Sequence, residues 1–352
     1  MNLIPINTIF KNTTSSYKYY WWLSIIEISF LEDKENISYN EIIFKIISKM
    51  WYPVNYFKLS FGKRDRCAFF IKEIQREYSL EDNLSERDLY QFLIENKDSK
   101  FLTKITSELT RYVPFRFIRA WYAEQTRGLK DGIINSKIVE LQDDKSPYTI
   151  NIELKEIKIN KDWVSWIRTN YNLIKSYTYF ELIKYLEREN PQVSNLSKKI
   201  EKPILRKLST PTTYWKKYIV ENPNKLDVFE NKPLISMKEL SIDHFLPWSF
   251  FTHDLIWNLH PVSKNINSSK NNYLPKEKYL TPFCFLQYDF CDFLLNEKAN
   301  KVLENYYLLF KCSNEELRNI SKEEFSKKIN NYYLPQYEIA KNMGFNCNWF
   351  LK

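Results

Sequence analysis

The chain has 352 residues, 44% of them hydrophobic and 27% charged, a balance that argues against a disordered chain and supplies apolar material for two or three domains, or for one large domain with additions. Its 52 basic residues outnumber 43 acidic ones, a net charge of +9 that suits a polyanionic partner without requiring one. Five cysteines (Cys67, Cys284, Cys291, Cys312 and Cys347) form no Cys-x-x-Cys pair, which argues against a disulfide scaffold and a cysteine-based zinc site.

Only 4 glycines interrupt the chain, so long stretches are free to be helical. Thr13, Thr14, Ser15 and Ser16 are good cap residues ahead of an apolar run and predict a first helix. That run, Tyr19 to Leu31, carries Glu27 in its middle and is too short to span a bilayer. The N-terminus has no basic stretch leading into a long apolar one, so a soluble cytoplasmic protein is the expectation. Asn40 to Trp51 and Ser85 to Asn96 have helical spacing of Ile, Phe and Leu, and Asp98 to Arg119 reads as helix interrupted at Pro114. Ile138 to Leu141 and Tyr148 to Ile159 look like strands joined by a turn at Asp143-Asp144-Lys145-Ser146-Pro147, which predicts a β-hairpin. From Asn160 to about Ile200 the pattern is helical again, ending in the breaker Asn190-Pro191. Pro203, Pro211, Pro223 and Pro233 mark a linker with one helix near Tyr214 to Glu221, and residues 276 to 352 read as helical, most clearly at Asn296 to Phe310.

The chain's three histidines, His244, His253 and His260, all fall in one window, Ser241 to Pro275. Asp243 and Asn267 offer the oxygen ligands that a hard cation such as Mg²⁺ prefers. His244, beside Asp243, is suited to act as a general base near neutral pH. Lys270, one helical turn after Asn267, is placed to meet charge developing on a phosphate. Together these residues make a sensible set for one-metal hydrolysis of a phosphodiester.

The same window resembles the motif of HNH endonucleases, the ββα-metal fold: Asp-His, then Asn-Leu, then Asn-x-x-Lys. Its spacing is similar to that of the HNH domain of RNA-guided CRISPR effector nucleases, with thirteen residues between His244 and Asn258 and eight between Asn258 and Asn267. The resemblance implies that His244 activates water and that Asp243 and Asn267 hold Mg²⁺, with Mn²⁺ a working substitute. It implies that Asn258 braces the loop and orients the histidine, and that Lys270 is an accessory cation near the scissile phosphate. Asn267 stands where many members carry a third histidine, and the two Cys-x-x-Cys pairs of zinc-bearing members are absent, so no structural zinc is expected. The helices after Pro275 are then the candidates to support so small a domain.

Other residues of the window have plainer readings. His253 is expected to be solvated, Asp254 to cap a local turn, and Trp248 and Trp257 to pack. His260 is expected to be a surface strand residue, with a further ligand or phosphate contact as the alternative. Lys198, Lys199, Lys202, Arg206, Lys207, Lys216 and Lys217, against the single acid Glu201, give a local net charge of about +6, read as a phosphate-tracking surface. Arg111, Arg116 and Arg119 alternate with aromatics; Arg116 and Arg119 are candidate nucleic-acid contacts, and an amphipathic element with core aromatics is the equal alternative. Phe61 to Arg66 is a basic turn at Gly62. Glu153-x-Lys155 echoes a restriction-type nuclease core but lacks the upstream Asp on a neighbouring strand. Cys284 and Cys291 fall on one helical face and read as packing residues.

The expectation is a mainly α protein with a small β-hairpin insertion and an α+β ββα-metal domain near the C-terminus. Its divisions are a helical region at 1–125, the hairpin at 126–160, a helical region with a basic linker at 161–230, the HNH nuclease at 231–275 and a helical region at 276–352. The expected activity is Mg²⁺-dependent hydrolysis of DNA, in a bacterial restriction or antiphage effector. The alternatives are a nuclease subunit silent until a sensor or guide protein activates it, and a non-cutting nucleic-acid-binding module. Membrane partners are not expected; oligomeric state stays open.

Overall fold

The computed structural model describes residues 5–11, 13–202, 208–236 and 239–351. The chain divides into two compact units, Met1–Lys202 and Pro203–Lys352, both mainly helical. Among the described residues no helix is long and apolar enough to cross a membrane.

In the first unit the Tyr17–Leu31 helix is the axis. Every residue from Tyr19 to Ser29 is buried, the pattern of a helix enclosed on all faces. It packs against the Tyr39–Asn55 and Lys161–Glu189 helices. Tyr39–Asn55 starts at a capping box in which Ser38 and Glu41 satisfy each other's backbone N–H groups. Glu27, the one acid of the axial helix, is ion-paired at 2.6 Å with both Lys45 and Lys49.

A three-stranded antiparallel sheet closes this unit, with β1 Asn36–Ser38, β2 Tyr148–Asn151 and β3 Glu156–Ile159 in the order β1-β3-β2. Ile37, Ile150, Ile157 and Ile159 bury its inner face. Tyr148 donates to the Pro114 carbonyl at 2.7 Å and accepts from the Trp21 indole at 2.9 Å. The expected strand at Ile138 to Leu141 is instead the end of the Asp131–Leu141 helix. Ile134 and Ile138, four residues apart and fully buried, form a helical stripe, and a four-residue window cannot tell that period from a strand's. Both strands of the hairpin come from Tyr148 to Ile159. Glu153 and Lys155 lie exposed in the turn between them, so the Glu-x-Lys pair is on neither strand.

In the second unit, β4 Leu240–His244 and β5 Leu259–Ser263 pair antiparallel, and a short Lys264–Lys270 helix follows with Ser263 as its N-cap. This ββα piece is too small to hold a core alone. Its inner side chains join a cluster built from the Ser209–Glu221, Leu280–Asn296, Asn300–Phe310 and Lys322–Asn342 helices. Phe245 stacks on Phe283 at 4.1 Å, and Trp215 stacks on Phe290 at 3.5 Å. Cys284 and Cys291 are buried free thiols within that cluster.

Candidate active site

Ladder register sets the geometry. Asp243 lies directly across from His260, and His244 from Leu259. Ser241 and Asp243 are two apart on β4 and therefore project from one face. Asn267 reaches that same face from the short helix, donating its amide to the Ser241 hydroxyl at 2.6 Å. The Asp243 carboxylate and the Asn267 amide thus belong to one side of the sheet.

Lys270 is completely buried. Its ammonium donates to the His244 carbonyl at 2.7 Å and lies 2.9 Å from Asp243 Oδ2. The second contact is an ion pair by distance but is not aligned as a hydrogen bond, and Oδ2 has no hydrogen-bond partner among the described residues. A buried carboxylate served by one off-axis ammonium is under-coordinated, and this is the group a divalent cation would complete. Among the described residues no three His, Cys, Asp or Glu side chains gather into a metal cluster. One carboxylate and one amide oxygen nevertheless fit Mg²⁺, which keeps water and substrate phosphate in most of its positions.

His244 is buried, and its Nε2 lies 2.9 Å from Asp254 Oδ1. A carboxylate only accepts, so Nε2 is the donor in this contact, which leaves Nδ1 as the ring nitrogen turned to other partners. No hydrogen bond joins the His244 ring to Asp243 or Asn267 among the described residues. Asn258, fully buried, clips the loop after the histidine: its Oδ1 accepts from Leu246 N–H at 3.0 Å and its Nδ2 donates to the Leu246 carbonyl at 2.9 Å. Its backbone carbonyl accepts from Phe245 N–H at 2.8 Å. The Tyr333 hydroxyl lies 3.0 Å from the same Oδ1 and 2.9 Å from the Trp257 carbonyl. Gln287 donates to the Leu259 carbonyl at 2.7 Å, and its own Oε1 accepts from Tyr306 at 2.5 Å.

Several expectations change here. Asp254 does more than shape a turn, since it is the partner of the His244 ring. His260 is not on the surface: it is 0% exposed, among the rings of Phe229, Phe245 and Phe283, and neither ring nitrogen has a hydrogen-bond partner. Burial pushes its pKa down to about 3, so it is neutral at physiological pH. His253 is half-buried, stacked on Phe251 at 4.8 Å and edge-on to Trp257 at 5.3 Å, rather than solvated.

The basic run is not exposed throughout. Lys199 is buried at 0% exposure, which pushes its pKa down to about 7 and keeps it from reaching a surface phosphate. Lys198 and Lys202 are exposed in the first unit, Lys202 donating to the Asn83 carbonyl at 2.8 Å. Lys216 and Lys217 are exposed in the second unit, Lys217 paired with Glu297. Arg206 and Lys207 lie outside the described residues. Arg116 and Arg119 are half-buried in the first unit, and Arg119 donates to the Thr126 carbonyl at 3.1 Å.

Residues 228–276 match the HNH endonuclease family, so the segment that carries β4, β5 and the short helix is an HNH domain set in a mainly helical chain. No curated protein and no solved structure matches the chain.

Proposed function

We propose that this chain is a divalent-metal-dependent endonuclease that hydrolyses DNA phosphodiesters, with Mg²⁺ as its working cation, in the service of bacterial antiphage defence. One observation carries the reading. Within the HNH segment, an under-coordinated buried carboxylate, Asp243, lies beside a histidine whose ring is held by a second carboxylate, Asp254.

Asp243 and Asn267 would hold the cation, which when bound supplies positive charge against the phosphate and the leaving oxygen. His244 Nδ1 takes a proton from water as the water oxygen attacks phosphorus. The P–O3′ bond breaks and the departing O3′ takes a proton from solvent, leaving a 3′-hydroxyl and a 5′-phosphate as the family resemblance implies. Asp254 fixes the ring and stabilises the imidazolium that results, much as a triad carboxylate does. Asn258 acts as a positioning residue, holding Phe245 and Leu246 so that His244 does not swing. Lys270 balances the Asp243 charge while the cation is absent.

Supercoiled plasmid incubated with the purified chain in Mg²⁺, Mn²⁺ or EDTA tests this. Metal-dependent nicking should fall by roughly 10³-fold in His244→Ala, the scale of losing a general base. Cutting that persists in EDTA, or in His244→Ala at the wild-type rate, would refute the mechanism. A folded protein that cuts neither DNA nor RNA in Mn²⁺ would refute autonomous activity.

A further inference from the structure

His260 has no part in the chemistry proposed for His244, and packing alone does not account for it. Its side chain is fully buried, and neither ring nitrogen has a hydrogen-bond partner among the described residues. The rings of Phe229, Phe245 and Phe283 lie 5.1, 6.0 and 5.5 Å from it, all of them edge-on. Surroundings of that kind suit a phenyl or a branched aliphatic group. A neutral imidazole brings one N–H and one lone pair, and burying both without partners is destabilising. Edge-on aromatic rings can receive the N–H through their π faces, but they offer the lone pair nothing.

The ladder sets what lies beside the ring. His260 is directly across from Asp243. Cross-strand partners project from one face, with their β-carbons about 5 Å apart. The Asp243 charge reaches the ring: burial lowers the His260 pKa first, Asp243 opposes that effect, and Lys270 and His244 reinforce it. Asp243 is itself buried, and its Oδ2 accepts no hydrogen bond among the described residues. Asn267 reaches the same face through its contact with Ser241. A carboxylate, an amide and an imidazole therefore share one side of a two-stranded sheet. Two of the three are buried with a lone pair that no hydrogen bond uses, and a divalent cation takes a lone pair from oxygen and nitrogen alike.

We propose that His260 is a third protein ligand of the cation, adding a ring nitrogen to the oxygens of Asp243 and Asn267. This rests on the reading of Asp243 and Asn267 as cation ligands. Asn267 stands where many HNH members carry a histidine on the helix, and His260 returns an imidazole to the site from β5 instead. A mixed nitrogen and oxygen set favours first-row ions such as Mn²⁺ and Co²⁺ over Mg²⁺, so these should displace Mg²⁺ from the chain.

Pulsed electron paramagnetic resonance of the full chain loaded with Mn²⁺ tests this, because a directly bound imidazole couples its nitrogen nucleus to the unpaired electrons of the metal. The wild type should show that coupling, and His244→Ala should keep it. His260→Phe should lose it, with Mn²⁺ binding in equilibrium dialysis weakened roughly tenfold or more. The same variant should melt no lower than the wild type, since a phenyl leaves no polar group stranded. Should it melt early, His260→Leu carries the same expectation, and the wild-type spectrum decides without either. Bound Mn²⁺ with no nitrogen coupling in the wild type overturns the proposal and leaves the nuclease reading standing. So does coupling that survives in His260→Phe, or Mn²⁺ binding that the substitution leaves unchanged. A chain that binds no Mn²⁺ up to about 1 mM overturns the proposal and the metal-dependent nuclease reading together.

Discussion

Each unit contains one small antiparallel sheet, and the two use their inward positions in opposite ways. In the first, Tyr148, Ile150, Ile157 and Ile159 point in, and Glu153, Lys155 and Lys158 stay in water. In the second, Asp243, His244 and His260 are buried along with Ile242, Leu259 and Val262. The first arrangement is what folding alone favours, because burying polar groups costs free energy unless they are fully satisfied. The second leaves Asp243 Oδ2 and both His260 nitrogens without hydrogen bonds. Such unsatisfied groups separate a sheet that closes a core from one that holds a site, whereas charged residue types in strand sequences do not.

Mutation can test that contrast. The largest effect is expected at Asn258. Asn258→Ala strands the Leu246 N–H and carbonyl and removes an acceptor from Tyr333, and should cost about 2–4 kcal/mol in a urea melt. A loss below about 0.5 kcal/mol would show that the loop holds itself.

Next is Asp254→Asn. With the carboxylate gone, His244 loses its preferred tautomer, and plasmid nicking should fall roughly 10–100-fold with little change in melting temperature. An unchanged rate and pH profile would reduce Asp254 to the turn residue its sequence suggests.

Lys199 extends the contrast to a buried cation of the first unit. Its folded pKa, about 7, lies below the ordinary lysine value of 10.5, so the unfolded chain binds more protons between those limits. Stability should therefore rise with pH across that window, by at most about 1.4 kcal/mol per unit from this group, and fall again as pH drops towards 7. Thermal melts from pH 7 to 10 should show the rise in the wild type and a flatter profile in Lys199→Met. The same slope in both proteins would assign it elsewhere. The smallest effect belongs to Glu153→Ala and Lys155→Ala, which should leave nicking unchanged and stability within about 0.5 kcal/mol.

What could be read in advance follows the range of the interactions involved. Helices with long apolar stripes were plain, as was the set Asp243, His244, Asn258, Asn267 and Lys270, which lies within one short window. Asp254 was not, because its part depends on a loop folding back on the histidine. The burial of His260 depends on Phe229 and Phe283, one before the motif and one beyond it. Strand β1 is only three residues long and pairs with residues 156–158, so no local pattern announces it.

Tyr333 and Gln287 lie well past the end of the matching segment, yet they grip Trp257, Asn258 and Leu259. The recognisable motif and the working machine therefore have different borders. A fragment cut at residue 276 would keep Asp243, His244, Asn258, Asn267 and Lys270 and lose the side chains that hold their loop. Grafting this HNH domain onto another scaffold would require transplanting the helices through Lys322–Asn342 as well, so the portable unit is far larger than its signature.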